Sequence, residues 1–299
     1  MKVILGGASG LIGSSLARAL RADGHRVVRL VRGRPARDAT EIAWDPDTAR
    51  IDAAALEGAD AAVNLAGTSI ARWPFTGGHR RRVLESRTRS AALLARAIAS
   101  TSNGPRVLVS ASAVGYYGNR GDEPLDERSG AGTGFLAEVC RAWESANDPA
   151  SQAGTRVVTT RFGIVMSGQG GALAAMRVPF QLGLGGRLGN GEQYLSWVSI
   201  TDVVRAIRYA IEREELRGPV NVTSPEPVTN AEFTRTLGRV LRRPTILTIP
   251  AGVLKLLLGR LADETLLTSQ RVAPARLLES GFTFREPELE GALRSALAR

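Results

Sequence analysis

The 299-residue chain contains one cysteine, two histidines and two lysines. A lone thiol, Cys140, excludes an internal disulfide and points to a reducing compartment, the cytoplasm. Lying between Val139 and Trp143 on an expected helix, it reads as a packing residue. His25 and His79 cannot build a multi-histidine centre, and one cysteine with two distant histidines is a poor zinc set, so no metal is expected. A Ser-His-Asp triad is equally undersupplied. Of 39 basic side chains only Lys2 and Lys255 are lysines. The longest apolar stretch, from Ile246 to Leu261, is too short for a bilayer span and is interrupted by Lys255 and Arg260. No secretory leader is expected before a strand that starts at residue 2 or 3, and a soluble protein without a membrane partner follows. The net charge of +10 raises nucleic acid as a partner. Its arginines are interleaved with acids, however, and only Arg80-Arg81-Arg82 cluster, so a solvated surface without nucleic acid is the better reading.

What the chain does have is an opening apolar run, Val3-Ile4-Leu5, that breaks at Gly7-Ala8-Ser9-Gly10-Leu11-Ile12-Gly13. Helical periodicity follows through Leu16, Ala17 and Leu20. Strand, tight turn and helix in this order form an anion cradle. Residues without Cβ let a pyrophosphate approach the backbone, and the helix start offers free N–H groups and a positive dipole end. With Ala8 in place, the spacing is G-x-x-G-x-x-G rather than G-x-G-x-x-G.

The second strand, Val27 to Val31, ends at Arg32-Gly33-Arg34. An acid for a ribose 2′-hydroxyl usually stands here, yet none lies between Gly24 and Arg37. Arg32, with Arg34 and Ser9 as helpers, suits a 2′-phosphate instead. This predicts NADP(H) as the preferred cofactor, with NAD(H) the alternative.

Residues 40–57 are expected to be irregular, with a short strand near Glu41 to Trp44. Further strands fall at Asp60 to Gly67, Arg106 to Ser112 and Thr155 to Val165, separated by helices at Thr76 to Thr101 and Phe135 to Ala146 and by a surface loop from Asn119 to Gly134. Strands alternating with helices predict an α/β, doubly wound parallel Rossmann sheet with a smaller, mostly helical C-terminal substrate lobe. Residues 1–166 form the cofactor domain, 197–222 return to it, and 167–196 with 223–299 make the lobe. Its glycine-rich start, residues 167–191, is expected to wall or cover the cofactor edge. A helix from Asp202 to Arg213 has Thr201 as cap, Thr229 and Glu232 have capping-box spacing, and a helix is expected from Pro250 to Leu267.

The glycine turn, Asn64-Leu65-Ala66-Gly67, residues 110–118 (SASAVGYYG) and residues 191–197 (GEQYLSW) occur in the order found in epimerase-like, atypical members of the extended short-chain dehydrogenase/reductase superfamily. Residues 135–140 and the tail from Ser269 to Phe282 also resemble the bacterial group labelled nucleoside-diphosphate-sugar epimerase of the SulA type, or epimerase family protein. The resemblance spans essentially the whole chain. It implies pyrophosphate binding by Gly7, Ser9, Gly10, Leu11, Ile12 and Gly13, and adenosine-end binding by Arg32. The cofactor ribose side falls to Asn64, Leu65, Ala66, Gly67 and Ser110, with Arg161 as a further cofactor-binding residue. Ser112 matches the superfamily's active-site Ser/Thr. A homodimer through the helices after the third and fourth strands is also implied.

The chain departs from the superfamily at its Tyr-x-x-x-Lys pair, where Phe135 and Val139 stand. The tyrosines at 116, 117, 194 and 209 are followed four positions on by Arg120, Gly121, Val198 and Arg213, so no such pair exists. Lys2 and Lys255 belong to stretches expected away from this edge. Candidates for the proton work are Tyr116, Tyr117 and a partly buried Glu138. The arginine that follows the glutamine in sugar-nucleotide epimerases is also missing after Gln193, with Arg177, Arg187 or Arg271 as substitutes. The expected function is therefore an NADP(H)-binding, epimerase-like oxidoreductase that transfers hydride on a small carbonyl or hydroxyl substrate, a nucleotide sugar among the candidates. The alternative is a cofactor-binding sensor or interaction module that has lost redox catalysis.

Overall fold

The computed structural model describes residues 1–70 and 74–298. Eight strands form the central sheet: β1 (Lys2–Gly6), β2 (Arg26–Val31), β3 (Glu41–Asp45), β4 (Arg50–Ile51), β5 (Ala61–Asn64), β6 (Val107–Ala113), β7 (Arg156–Phe162) and β8 (Gly218–Val222). Their order is β8-β7-β6-β5-β1-β2-β3-β4, parallel throughout except for the short β3–β4 pair. The order reverses between β1 and β5, which places the crevice for a ligand at the carboxyl ends of those strands. This is the doubly wound α/β architecture expected from the sequence.

Side-chain alternation explains the layering. On β1, Val3 and Leu5 face one core with Leu16 and Leu20 of helix α1 (Leu11–Ala22), whereas Ile4 faces the other core with Leu93 and Leu94 of helix α2 (Gly77–Ala99). Both faces are buried, so the strands are apolar runs rather than alternating ones. Helix α3 (Phe135–Ser145) and the short α4 (Asp148–Gln152) lie between β6 and β7 in the chain.

The rest of the chain is built from α5 (Gly171–Gln181), α6 (Ile200–Glu212), α7 (Asn230–Leu241), α8 (Ala251–Leu258), α9 (Ala275–Glu279) and α10 (Leu289–Leu297). Apolar residues of α5, α7 and α10, among them Leu173, Phe180, Phe233, Leu237 and Leu293, share a separate core around Met166 and Trp197. Helix α6 packs against the main sheet instead, with Val203, Ile207 and Ala210 in the first core.

Several local expectations are corrected. Ser199, not Thr201, caps α6: its Oγ accepts the Asp202 N–H at 3.1 Å, and the helix starts one residue before Thr201. The expected helix over 250–267 stops at Leu258, because Gly259 turns into the left-handed region at φ 56°, and a single wide turn, Ala262–Leu266, follows. Two segments with no expected strand, Gly186–Leu188 and Leu247–Ile249, pair in parallel. The loop from 119 to 134 is not all surface. Glu127 is buried, accepts the Asn221 N–H at 2.9 Å, and is pushed above the usual carboxylate range by burial. Among the described residues no helix is long and apolar enough to cross a membrane.

Candidate cofactor cleft and the cavity beside it

The turn between β1 and α1 is shaped by its glycines. Gly7 has φ 74°, and a Cβ there would sit 2.6 Å from the backbone of Leu65, so both the conformation and the contact require glycine. A Cβ on Gly13 would overlap the carbonyl oxygen of Gly7, which lets α1 pack directly onto the turn. Gly10 is the N-cap and has no side chain to satisfy the first turn, leaving the N–H groups of Leu11 and Ile12 for a ligand.

A cleft of about 500 Å³ opens from this turn. Its lining includes Gly7, Ser9, Gly10, Arg32, Leu65, Ala66 and Gly67. The sequence identified these seven; Arg29, Leu30, Trp44, Pro46, Thr68, Ser86 and Ser90 also line the cleft and were not expected. Leu11 and Ile12 open the helix above it, and Gly13 lies behind, buried. Residues Gly170 and Gly171, at the start of α5, approach Leu11: a Cβ on Gly171 would stand 3.1 Å from its side chain. The glycine-rich segment thus touches the start of α1, although none of its residues lines the cleft.

At the adenosine end three arginines line the cleft: Arg29, Arg32 and Arg34. Arg34 grips Glu41 through two hydrogen bonds of 2.7 Å, and Arg29 reaches the same carboxylate at 2.6 Å. The guanidinium of Arg34 holds the Glu41 carboxyl down at about 2. Arg32 pairs with Asp47, and both side chains are about half exposed. An ion pair so open to water is worth little and exchanges readily for a phosphate, whereas Arg34 is committed to a buried acid.

At the other end, Asn64 and Ser110 are register partners on β5 and β6, and both are fully buried. The Asn64 Oδ1 accepts the Ala66 N–H at 3.2 Å, but its Nδ2 and the Ser110 Oγ have no partner among the described residues. Neither residue lines the cleft, but Asn64 directly precedes the lining residues Leu65 and Ala66; unpaired buried polar atoms cost about 1–3 kcal/mol each, so two adjacent ones here fit a polar ligand. The glycine cradle, the open helix start and these two orphans suit a bound dinucleotide.

Beyond β6, Ser112, Tyr116, Tyr117 and Arg161 belong to one largely buried network. The Ser112 Oγ donates to Glu144 Oε1 at 2.7 Å, and Arg161 donates to both oxygens of Glu144 at 2.8 Å. Arg161 also donates to the Tyr117 hydroxyl at 3.0 Å, which in turn donates to Asn221 Oδ1 at 2.8 Å. The guanidinium of Arg161 lies 3.4 Å from the Tyr116 ring centroid. Burial pushes the Tyr117 phenol up to about 12, even with Arg161 opposing. Arg161 is buried here and is not part of the cleft wall.

Glu138 is exposed on α3, contrary to the partial burial expected, because the helix turns Phe135, Val139 and Cys140 inward. Cys140 is buried, with its thiol pushed up to about 11, and donates to the Ala113 carbonyl at 3.6 Å, as a packing residue would. Phe135 and Val139 pack with Val83, Ile70 and Phe75, so the place of the superfamily's Tyr-Lys pair is an apolar cluster.

A larger cavity of about 640 Å³ lies beside this cluster, lined by Gly115, Gly118, Leu136, Ala137, Gln193, Lys255, Asp263 and Glu264 among others. The expectation that Lys255 stands away from this edge is overturned: α8 folds back, and Lys255 lines the cavity with its Nζ 2.9 Å from Asp263. Glu264 accepts the N–H groups of Phe135 and Leu136 at 3.0 and 3.1 Å, capping α3 from a distance of some 130 residues along the chain.

Glu144 escaped the sequence reading. Its signal was an acid one position after Trp143 and four after Cys140, on the buried stripe of α3. Glu264, Lys255 and Asn221 carried no local signal, since only the tertiary fold brings them in.

Comparisons with known proteins agree with this geometry. A family model described as "NAD dependent epimerase/dehydratase family" matches residues 3–223, and a "Domain of unknown function (DUF1731)" matches residues 249–296. The chain is 47% identical to epimerase family protein Mb2239 of Mycobacterium bovis over 99% of this chain and 98% of that one. It is 36% identical to human epimerase family protein SDR39U1, covering all of both chains. A crystal structure of the human protein, isoform 2, with NADPH superposes with a TM-score of 0.88 at 34% identity, again covering both chains completely. The nucleoside-diphosphate sugar epimerase of Corynebacterium glutamicum superposes with a TM-score of 0.82 at 36% identity, over 99% of this chain and 58% of that one. With the model spanning most of its sheet and relatives matching end to end, this chain belongs to the NAD dependent epimerase/dehydratase family.

Proposed function

We propose that the chain binds NADP(H) in the glycine-turn cleft and acts as an epimerase-like oxidoreductase on a small carbonyl or hydroxyl compound held in the larger cavity. The observation that carries the cofactor reading is Arg32 at the end of β2, weakly paired and lining the cleft where an NAD-type fold would carry an acid. The NADPH in the crystal structure of human SDR39U1 supports it. Gly7, Gly10 and the α1 start hold the pyrophosphate, Arg32 the 2′-phosphate, and Asn64 with Ser110 the polar groups toward the nicotinamide. The cofactor supplies a hydride or accepts one. A substrate of nucleotide-sugar size fits the volume of the cavity, and Lys255, Asp263 and Glu264 are its ionisable groups, available to bind a polar substrate and exchange its hydroxyl proton.

In this reading Tyr117 and Arg161 are positioning residues. Both are buried, and the phenol keeps its proton at neutral pH. Ser112 stands one hydrogen bond from Glu144 and remains the nearest match to the superfamily's hydroxyl.

A second reading is a cofactor-dependent sensor or interaction module. It draws on the apolar cluster of Phe135 and Val139, which leaves no phenol and lysine in the superfamily's arrangement.

Titration of the purified chain with NADPH and NADH tests the cofactor reading. Arg32→Ala is expected to weaken NADPH about 10- to 100-fold, the loss of one charge-assisted phosphate contact, with NADH nearly unchanged. Equal affinity for both cofactors in the parent chain would overturn it. Oxidation or reduction of bound cofactor by any carbonyl or hydroxyl compound separates the enzyme from the sensor.

A further inference from the structure

Eight of the ten large apolar side chains exposed among the described residues lie in two short stretches, 178–184 and 246–257. Ile246 is 88% exposed, Leu256 86% and Leu182 69%. The stretches adjoin in space. The strand pair Gly186–Leu188 and Leu247–Ile249 places Gly186 beside Leu247, so the end of α5 and the start of α8 enter and leave one small ladder. Buried Leu254 anchors α8, which turns Val253, Leu256 and Leu257 outward. Soluble domains rarely leave so many large apolar groups together without a partner.

The charge around this face is mainly positive; Asp263, exposed beside α8, is paired with Lys255 at 2.9 Å. Residues 167–191 and 233–262 hold eight basic side chains and no aspartate or glutamate. Arg187, Arg242, Arg243 and Arg260 are exposed there. A face-to-face pair of copies would oppose cation to cation, since a twofold interface uses the same patch twice. An apolar knob set in arginines matches an anionic bilayer: leucines enter the headgroup region while the guanidiniums meet lipid phosphates.

We infer that this lobe docks on the surface of an anionic membrane through α8 and the neighbouring 178–184 and 246–249 stretches. Absence of a spanning helix bears only on crossing, and docking needs no span. Helix α8 contributes Ala251 and Lys255 to the 640 Å³ cavity, so the docked face adjoins its rim.

Sedimentation of the full chain with phosphatidylcholine vesicles, with and without phosphatidylglycerol, tests the inference. The chain is expected to pellet with the anionic vesicles only, and added salt should release it. Leu256→Ser with Leu257→Ser, and separately Arg242→Gln with Arg243→Gln, should each lower the bound fraction constant about tenfold or more. All four side chains are exposed, so unchanged thermal midpoints are expected and verify the fold of each variant. No pelleting, pelleting indifferent to lipid charge, or a leucine variant that binds like the parent would overturn the inference. Lipid-free self-association that disappears in the leucine variant would assign the face to a second copy instead, and would equally overturn it.

Discussion

Ser112 on β6 and Glu144 near the end of α3 are joined by a hydrogen bond of 2.7 Å, and the carboxylate oxygen that accepts it also accepts the Nε of Arg161. One acid thereby fixes both the strand-end hydroxyl and a buried guanidinium. Its position depends on α3 presenting Cys140 and Glu144 on one stripe, four residues apart, toward the ends of β6 and β7.

Replacing Glu144 by Gln is expected to destabilise the fold by about 3 kcal/mol, because Arg161 is left buried with an uncompensated charge. The double variant Glu144→Gln with Arg161→Met should recover much of that loss. Denaturant unfolding of the three proteins checks it, and additive losses in the double variant would sink the coupling.

Gly13 and Gly10 are expected to behave differently despite belonging to one motif. Gly13→Ala sets a methyl against the Gly7 carbonyl and forces α1 off the turn, so a lowered thermal midpoint and lost cofactor binding should appear together. At Gly10 a methyl stands 3.3 Å from the same oxygen, a contact that a small shift relieves. Gly10→Ala should fold normally, while NADPH titration shows weakened binding as the methyl enters the pyrophosphate approach.

Tyr117 gives an alkaline signature. Its phenol is raised from 10.0 to about 12 in the folded chain, so the neutral form is favoured by folding. That contribution is complete below pH 10 and is lost as pH climbs toward about 12. Tyrosinate absorbance should show a late step near the upper value, absent in Tyr117→Phe, and the parent chain should lose stability across that window more steeply than the variant. A Tyr117 step at pH 10 in the folded protein would contradict the buried placement.

Local chemistry was enough to determine the turn, the sheet and the glycine side of the cleft wall. The demands on Gly7, Gly10 and Gly13 arise within seven residues, apolar strands announce a sheet buried on both faces, and the missing acid after β2 is visible as composition. Even the loss of the Tyr-Lys pair was legible at Phe135 and Val139. Tertiary structure alone decided how the rest of the site is assembled. Glu264 caps α3 from the C-terminal segment, Asn221 returns on the edge strand to meet Tyr117, and Lys255 lines the cavity from α8, paired with Asp263 beyond the turn at Gly259. None of these has a sequence neighbour that shares its task. Each is placed by burial of a distant apolar face, a free energy that depends on the whole core and so leaves no local mark.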